Sequence, residues 1–138
     1  KGIVGIVKFV SEHYCLVKSV LSQDINLDVM VENSDAYGFL KWDTHNARRG
    51  NISGISNDMK LKKWSKVVAR GGSGIFPKGT PIGMISSIKS IEGEPLWNVE
   101  IIFYEDFRKI QKVYVIKNFL KVEQKKIEAL IPIDKEEE

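Results

Sequence analysis

The sequence has 138 residues and a formal net charge of +3, and 43% of its residues are hydrophobic while 28% are charged. This length allows one ordinary domain or two very small ones, and so small a charge is not typical of a dedicated nucleic-acid-binding protein, which carries a dense basic stripe. The single cysteine, Cys15, excludes an internal disulfide framework and a cysteine-rich zinc site. No run reaches the ~20 apolar residues of a membrane helix. Because the chain begins at Lys1 without an initiator methionine, we expect a piece of a longer protein.

In chain order, the apolar residues follow the pattern of β-strands. Trp97, Val99 and Ile101, for example, occupy every second position, which places them on one face of a strand. Turn-forming segments separate the apolar runs, and short strands with frequent turns are typical of an all-β sandwich or barrel. The runs that predict strands are residues 3–10, 16–21, 27–31, 84–91, 97–103 and 113–116.

A soft boundary is predicted where lysines cluster at residues 60–66. It divides the chain into a first β unit at residues 1–62 and a second at residues 63–118, and exchange of strands between the two units is left open. Residues 119–138 are rich in charge and contain one proline, so we expect a largely flexible C-terminal tail.

A loop at residues 71–83 contains five glycines and two prolines and invites comparison with phosphate-binding loops. Gly74 and Gly79 have the spacing of a P-loop, but Thr80 stands where that motif needs lysine. Pro77 removes a backbone donor and also occupies the third glycine position of a dinucleotide fingerprint. We therefore predict no bound cofactor.

A serine-protease triad is the next alternative, since Ser73 lies among glycines and His13 precedes it with aspartates between. Ser73 lacks the aspartate that precedes a trypsin-like nucleophile, and the chain is short for such an enzyme. His13, Cys15 and His45 are too few and too scattered for a zinc site. We predict no catalytic and no metal-binding residues. The aspartates that could complete a triad are Asp24, Asp28, Asp35 and Asp43.

Three tryptophans keep an oligonucleotide-binding (OB) type of module open as a further alternative. Trp64 lies among Lys62, Lys63 and Lys66, where an exposed indole would stack on a nucleic-acid base. Tryptophan in a small β domain is more often a core residue. The other two tryptophans are Trp42 and Trp97.

The glycine-rich loop is better explained as structural, since glycine and proline shape turns and Phe76 is a bulky apolar residue able to plug a barrel end or a seam between sheets. The stretch VVARGGSGIFPKGTPIGMI, residues 67–85, resembles the signature of the rod shape-determining protein MreC family. Ala69 and Arg70 replace the usual Thr-Ser of that signature. The loop residues that carry the resemblance are Gly71, Gly74, Phe76, Pro77, Gly79, Pro81 and Gly83.

The resemblance implies a fold of two small β-barrels packed together, in a protease-like arrangement without the catalytic machinery. It implies a parent protein that is anchored in the cytoplasmic membrane by an N-terminal helix and coiled coil, with this region on the periplasmic side. The expected function is a scaffold of the cell-wall elongation machinery that controls cell shape. The implied partners are a class B penicillin-binding transpeptidase, MreD and, across the membrane, the MreB-associated machinery, and self-association is also expected.

Four aromatic residues near predicted turns are the first candidates for anchors of such a partner. A protein interface usually depends on a few aromatic or aliphatic side chains surrounded by polar residues. The alternative for each is an ordinary core or rim residue. The candidates are Tyr14, Tyr37, Phe39 and Tyr104.

Overall fold

The structure, a computed structural model, describes residues 2–22, 25–43, 45–72 and 76–116. The part of the chain that it describes forms strands, turns and irregular segments, and no membrane-spanning helix is found there. The all-β prediction is confirmed. The strands are β1 (Gly5–Val10), β2 (Cys15–Ser19), β3 (Leu27–Val31), β4 (Tyr37–Trp42), β5 (Arg49–Ser53), β6 (Lys66–Ala69), β7 (Pro81–Ser90) and β8 (Trp97–Phe103).

Six strands close into an antiparallel barrel in the order β3-β4-β5-β8-β7-β6. Closure occurs where β3 pairs with β6, with Val29 opposite Ala69 and Val31 opposite Val67. The barrel therefore takes three strands from before residue 62 and three from after it, so the predicted boundary lies inside the barrel, between β5 and β6. Where we expected two barrels, the described residues form one closed barrel and one two-stranded sheet.

The barrel interior is filled by every second residue of its strands. In β3, for instance, Leu27, Val29 and Val31 are buried and the residues between them are half-buried. This alternation follows from the pleat of a strand, which turns successive side chains to opposite faces. The fully buried members of the core include Val29, Val67, Ile85, Val99 and Ile101.

The remaining two strands form a hairpin outside the barrel. β1 and β2 pair antiparallel from Gly5 opposite Ser19 to Val10 opposite Cys15, with a bulge between Val7 and Phe9. The base of the hairpin is attached to the barrel, because the Ile3 N–H donates to the Pro81 carbonyl at 3.2 Å and Ile3 packs in the barrel core.

Several predictions about individual segments need correction. The structure places residues 113–116 in no strand, although their apolar run predicts one. Conversely, β4, β5 and β6 were not predicted, because glycine, lysine and arginine interrupt their apolar pattern. Some predictions concern residues outside the described part of the chain, namely Asp24, Ser73, Gly74 and the C-terminal tail at residues 119–138.

Candidate partner-binding surface

The predicted loop contains a β-turn at residues 77–80. The Thr80 N–H donates to the Pro77 carbonyl at 3.2 Å, and the Thr80 hydroxyl donates to the same oxygen at 2.6 Å. Gly79 holds the third position of the turn with φ of 89°, a conformation that favours glycine. Two further backbone hydrogen bonds of 2.9 Å, between Gly79 and Ala69 and between Ala69 and Thr80, hold the turn against β6.

The other described residues of the signature surround this turn. Gly71 begins the loop, Phe76 is half-buried and packs against the barrel core, and Pro81 begins β7. Gly83 lies where β7 and β8 approach closely, since a Cβ built on it would lie 2.2 Å from the Ile102 carbonyl oxygen. These contacts agree with a structural role for the loop.

Beside the loop, β4 presents two of the predicted anchors on the outside of the barrel. Tyr37 is 52% exposed and Phe39 is 56% exposed, and Gly38 between them is buried. The cross-strand partner of Tyr37 is Met30, and that of Phe39 is Asp28. We call Tyr37, Phe39, Met30, Asp28 and the nearby Arg70 the aromatic surface.

Arg70 gives this surface its polar component. Its guanidinium carbon lies 3.7 Å from the centroid of the Tyr37 ring, and its Nη1 lies 3.8 Å from Oδ1 of Asp28. A cation over the face of an aromatic ring stabilises the position of both groups. Oδ1 of Asp28 is buried and accepts no hydrogen bond from the described residues, and the Arg70 guanidinium is the charged group beside it.

A shallow depression of about 430 Å³ adjoins the aromatic surface. Met30 belongs to both, and the loop forms one wall of the depression through Lys78 and Gly79. Its lining combines two apolar residues, Met30 and Val68, with polar and charged ones. The remaining lining residues are Glu32, Asn33, Ser34 and Asp35.

The other two predicted anchors lie on different elements. Tyr14 is in the turn of the β1–β2 hairpin and is 82% exposed. Tyr104 directly follows β8, is half-buried, and donates its backbone N–H to the Ile82 carbonyl at 3.1 Å. Of the four candidates, the structure therefore brings Tyr37 and Phe39 together on one strand face.

The structure also gives the positions of residues considered for a protease triad, a zinc site and a nucleic-acid-binding surface. His13 lies in the exposed hairpin turn, where its Nε2 is 4.0 Å from the Glu12 carboxylate. Among the described residues no group of three histidine, cysteine or acidic side chains is arranged to hold a metal ion. Trp42 and Trp97 pack against the core. Trp64 is 58% exposed, with the Lys63 ammonium 5.0 Å from its ring centroid.

Sequence reasoning missed Met30 and Arg70 and considered Asp28 only as a triad member. Arg70 had a usable signal, since it departs from the resembled signature. Asp28 and Met30 occupy the alternate, outward positions of β3. Their proximity to Tyr37 and Phe39 depends on the β3–β4 register, which the sequence alone does not reveal.

Comparisons with known proteins agree on one family. Residues 1–117 match the family model described as rod shape-determining protein MreC, barrel core. No curated protein sequence matches the chain. Among solved structures, MreC from Pseudomonas aeruginosa is similar at 19% identity and a TM-score of 0.68, over 74% of this chain and 65% of that one.

Two further solved structures show the same fold. One is described as MreC and is similar at 17% identity and a TM-score of 0.72, over 79% of this chain and 61% of that one. The other is a complex between penicillin-binding protein (PBP2) and MreC from Helicobacter pylori, at 17% identity and a TM-score of 0.58, over 75% of this chain and 62% of that one. This chain thus spans less than two thirds of the matched proteins. Because the family model covers most of its residues, the chain belongs to the family of the rod shape-determining protein MreC.

Proposed function

We propose that this chain is a non-catalytic scaffold module of the bacterial cell-wall elongation machinery, which helps to determine cell shape by binding a class B penicillin-binding protein. The observation that carries the proposal is the aromatic surface, with Tyr37 and Phe39 both about half exposed beside a depression, in a chain of the MreC family. The complex of PBP2 with MreC from Helicobacter pylori supports the choice of partner.

The chemistry of the aromatic surface fits a protein partner. Tyrosine and arginine are enriched among the residues that dominate binding energy, and here Arg70 is already held over the Tyr37 ring. This pre-organisation lowers the entropy that binding must overcome. The exposed part of the surface is small, so we expect a transient interface of roughly 1,000–1,500 Å² with micromolar affinity or somewhat better.

The proposal extends to the parent protein. We place this module on the periplasmic side of the cytoplasmic membrane, anchored through a segment that precedes it in the parent chain. MreD and the MreB-associated machinery are the further partners proposed, together with self-association. Membership of the MreC family supports each of these proposals.

Calorimetry with the periplasmic region of the class B penicillin-binding protein from the same organism tests the proposal. Replacing both Tyr37 and Phe39 by alanine is expected to weaken binding by about 30-fold, the effect of losing about 2 kcal/mol at a binding hot spot. Trp64→Ala is the matched control, because Trp64 is exposed to a similar extent, at 58%, but lies on another element.

Each outcome of that titration has a distinct meaning. No heat at high micromolar concentration, with both proteins folded, rejects the proposed partner for this module. Another outcome is binding that persists in the double variant and is lost in Tyr14→Ala or Tyr104→Ala. That result would support the proposed partner but would assign the interface to the hairpin or to the end of β8, respectively.

The non-catalytic part of the proposal has its own test. Ser73 lacks the flanking aspartate of a trypsin-like nucleophile, so we expect no covalent reaction with a fluorophosphonate probe. Trypsin is the positive control. Labelling of this chain that disappears in Ser73→Ala would assign it to the hydrolases instead.

A further inference from the structure

The lysine-rich segment that precedes β6 presents an indole to water. Trp64 is 58% exposed, whereas Trp42 and Trp97 pack against the core. One exposed aromatic residue is normal for a soluble domain, but Trp64 is distinguished by its neighbours and by its backbone. Residues 59–66 contain four lysines and no acidic residue. We call Trp64, Lys60, Lys62 and Lys63 the basic indole surface.

The backbone of Trp64 has a conformation that a bulky residue rarely adopts. Its φ is 72°, in the left-handed region that glycine and asparagine enter at lower cost. Hydrogen bonds on both sides hold it there: the Trp64 N–H donates to the Ile85 carbonyl of β7 at 2.7 Å, and the Ile85 N–H donates to the Ser65 carbonyl at 2.9 Å. Local stability would therefore favour a smaller residue, and backbone outliers of this kind cluster at functional sites.

The lysines before Trp64 are directed outward because their apolar neighbours are directed inward. Met59 and Leu61 are half-buried and pack against the core. The Met59 carbonyl also accepts a hydrogen bond from Nε1 of Trp97 at 2.9 Å, which fastens this part of the segment to the barrel. Lys60 and Lys62 alternate with these residues and are exposed.

The charge of the surface is not neutralised by the carboxylates around it. The Lys63 ammonium lies 5.0 Å from the centroid of the Trp64 ring. Lys66 is paired with Glu32 at 3.6 Å, and within the part of the chain that the structure describes no carboxylate forms an ion pair with the other three lysines. After Glu32 and the preceding Asp58 are counted, the segment still carries a net positive charge.

We propose that the basic indole surface docks this module on an anionic phospholipid membrane, with the Trp64 indole in the headgroup layer and the three unpaired lysines facing lipid phosphates. Tryptophan is enriched at the interface between a membrane and water, where its apolar ring and its N–H are both accommodated. Clustered lysines are attracted to the negative potential of anionic lipids. The charge complementarity and the single fixed indole thus point to the same ligand.

A nucleic acid is less well matched to this surface than a membrane. Proteins that bind single strands stack successive bases on several aromatic side chains. Here Trp42 and Trp97 are packed against the core and offer no second platform. One indole suffices for a membrane contact, because the lysines supply the long-range attraction and the ring supplies the insertion.

Membrane docking leaves the aromatic surface accessible to a protein partner. Trp64 precedes β6 and Arg70 directly follows it, so the two surfaces lie near opposite ends of that strand. Four strand residues span about 13 Å. The docking proposal does not rest on binding to a penicillin-binding protein, and its test contains none.

Sedimentation of the chain with lipid vesicles tests the proposal. We expect binding to vesicles of phosphatidylglycerol and phosphatidylcholine in about equal parts, weakening as salt is added, and little binding to phosphatidylcholine alone. Trp64→Gly is expected to weaken binding by about fivefold or more through loss of the inserted ring. The urea midpoint of this variant should not fall, because glycine accommodates φ of 72°.

Charge variants give a second, independent readout. Lys62→Gln is expected to weaken binding to the mixed vesicles by about fivefold. Lys41→Gln is the matched control, because Lys41 is equally exposed but lies on β4, three strands away from β7 around the closed barrel. We expect it to weaken binding by less than about twofold.

Three results would overturn the proposal. One is the absence of binding to the mixed vesicles at low ionic strength. Another is binding that is equal for the wild type, Trp64→Gly and Lys62→Gln, which would exclude the basic indole surface. The third is tighter binding to a single-stranded oligonucleotide than to the vesicles, lost in Trp64→Gly, which would assign the surface to nucleic acid instead.

Discussion

At the scale of single residues, Phe76 and Phe39 are a natural pair for comparison. Phe76 is half-buried against the core, whereas Phe39 is 56% exposed. We expect Phe76→Ala to lower the free energy of unfolding by about 2 kcal/mol, less than the ~3–5 kcal/mol of a fully buried phenylalanine. Phe39→Ala should change it by no more than about 0.5 kcal/mol. Urea denaturation measures both, and equal effects of the two substitutions would contradict the role assigned to Phe76.

A second prediction at this scale concerns Gly83, where the space available for a side chain decides the effect of a substitution. Its missing side chain allows β7 to approach the Ile102 carbonyl of β8, and a Cβ there would come within 2.2 Å of that oxygen. We expect Gly83→Ala to destabilise the barrel by about 1–3 kcal/mol, the range for an overpacked core. Gly2→Ala is the control, since a Cβ on Gly2 makes ordinary contacts of 3.4 Å or more. A Gly83→Ala variant with the wild-type midpoint in urea would contradict this prediction. It would show that β7 and β8 move apart to admit the methyl group without loss of stability.

At the scale of elements, the turn at residues 77–80 depends on backbone conformation. Nothing lies within 4 Å of a Cβ built on Gly79, so alanine there meets no steric clash, but φ of 89° remains unfavourable to it. We expect Gly79→Ala to cost about 1 kcal/mol, and Gly79→Asn to cost less because asparagine tolerates the left-handed region. Thermal denaturation of both variants provides the measurement. A larger loss with asparagine than with alanine would show that space, not backbone conformation, limits this position.

The glycine-rich loop and the aromatic surface also show which elements the sequence revealed. Glycine and proline predicted the turn because their backbone preferences are local. The missed strands β4 and β6 contribute Tyr37 and Val68 to the region of the surface and the depression. The apolar pattern is interrupted by Gly38 in β4, and β6 follows directly on a lysine-rich segment. Hydrogen bonding to neighbouring strands, more than the β-propensity of their own residues, therefore makes these segments strands.

At the scale of the whole molecule, the barrel is a single unit built from both halves of the chain. β5 pairs with β8 and β3 with β6, and Arg49 of β5 donates to Glu100 of β8. We therefore expect neither residues 1–62 nor residues 63–138 to fold alone, and we expect the intact chain to unfold in one cooperative transition. Circular dichroism and NMR of the two fragments test this. A dispersed NMR spectrum for either fragment alone would contradict this expectation and would support the domain boundary predicted near residue 62.

The amino-acid sequence by itself determined the all-β class, five of the eight strands, the turn-forming loop and the resemblance to the MreC family. All of these follow from local information, namely alternation, turn residues and a contiguous signature. Only the tertiary structure decided that strands from both halves close into one barrel and that Tyr37 and Phe39 share a surface with Met30 and Arg70. The physical reason is that strand pairing is non-local: a strand's own residues specify which face is apolar, while its neighbours and register depend on contacts with segments distant in the chain.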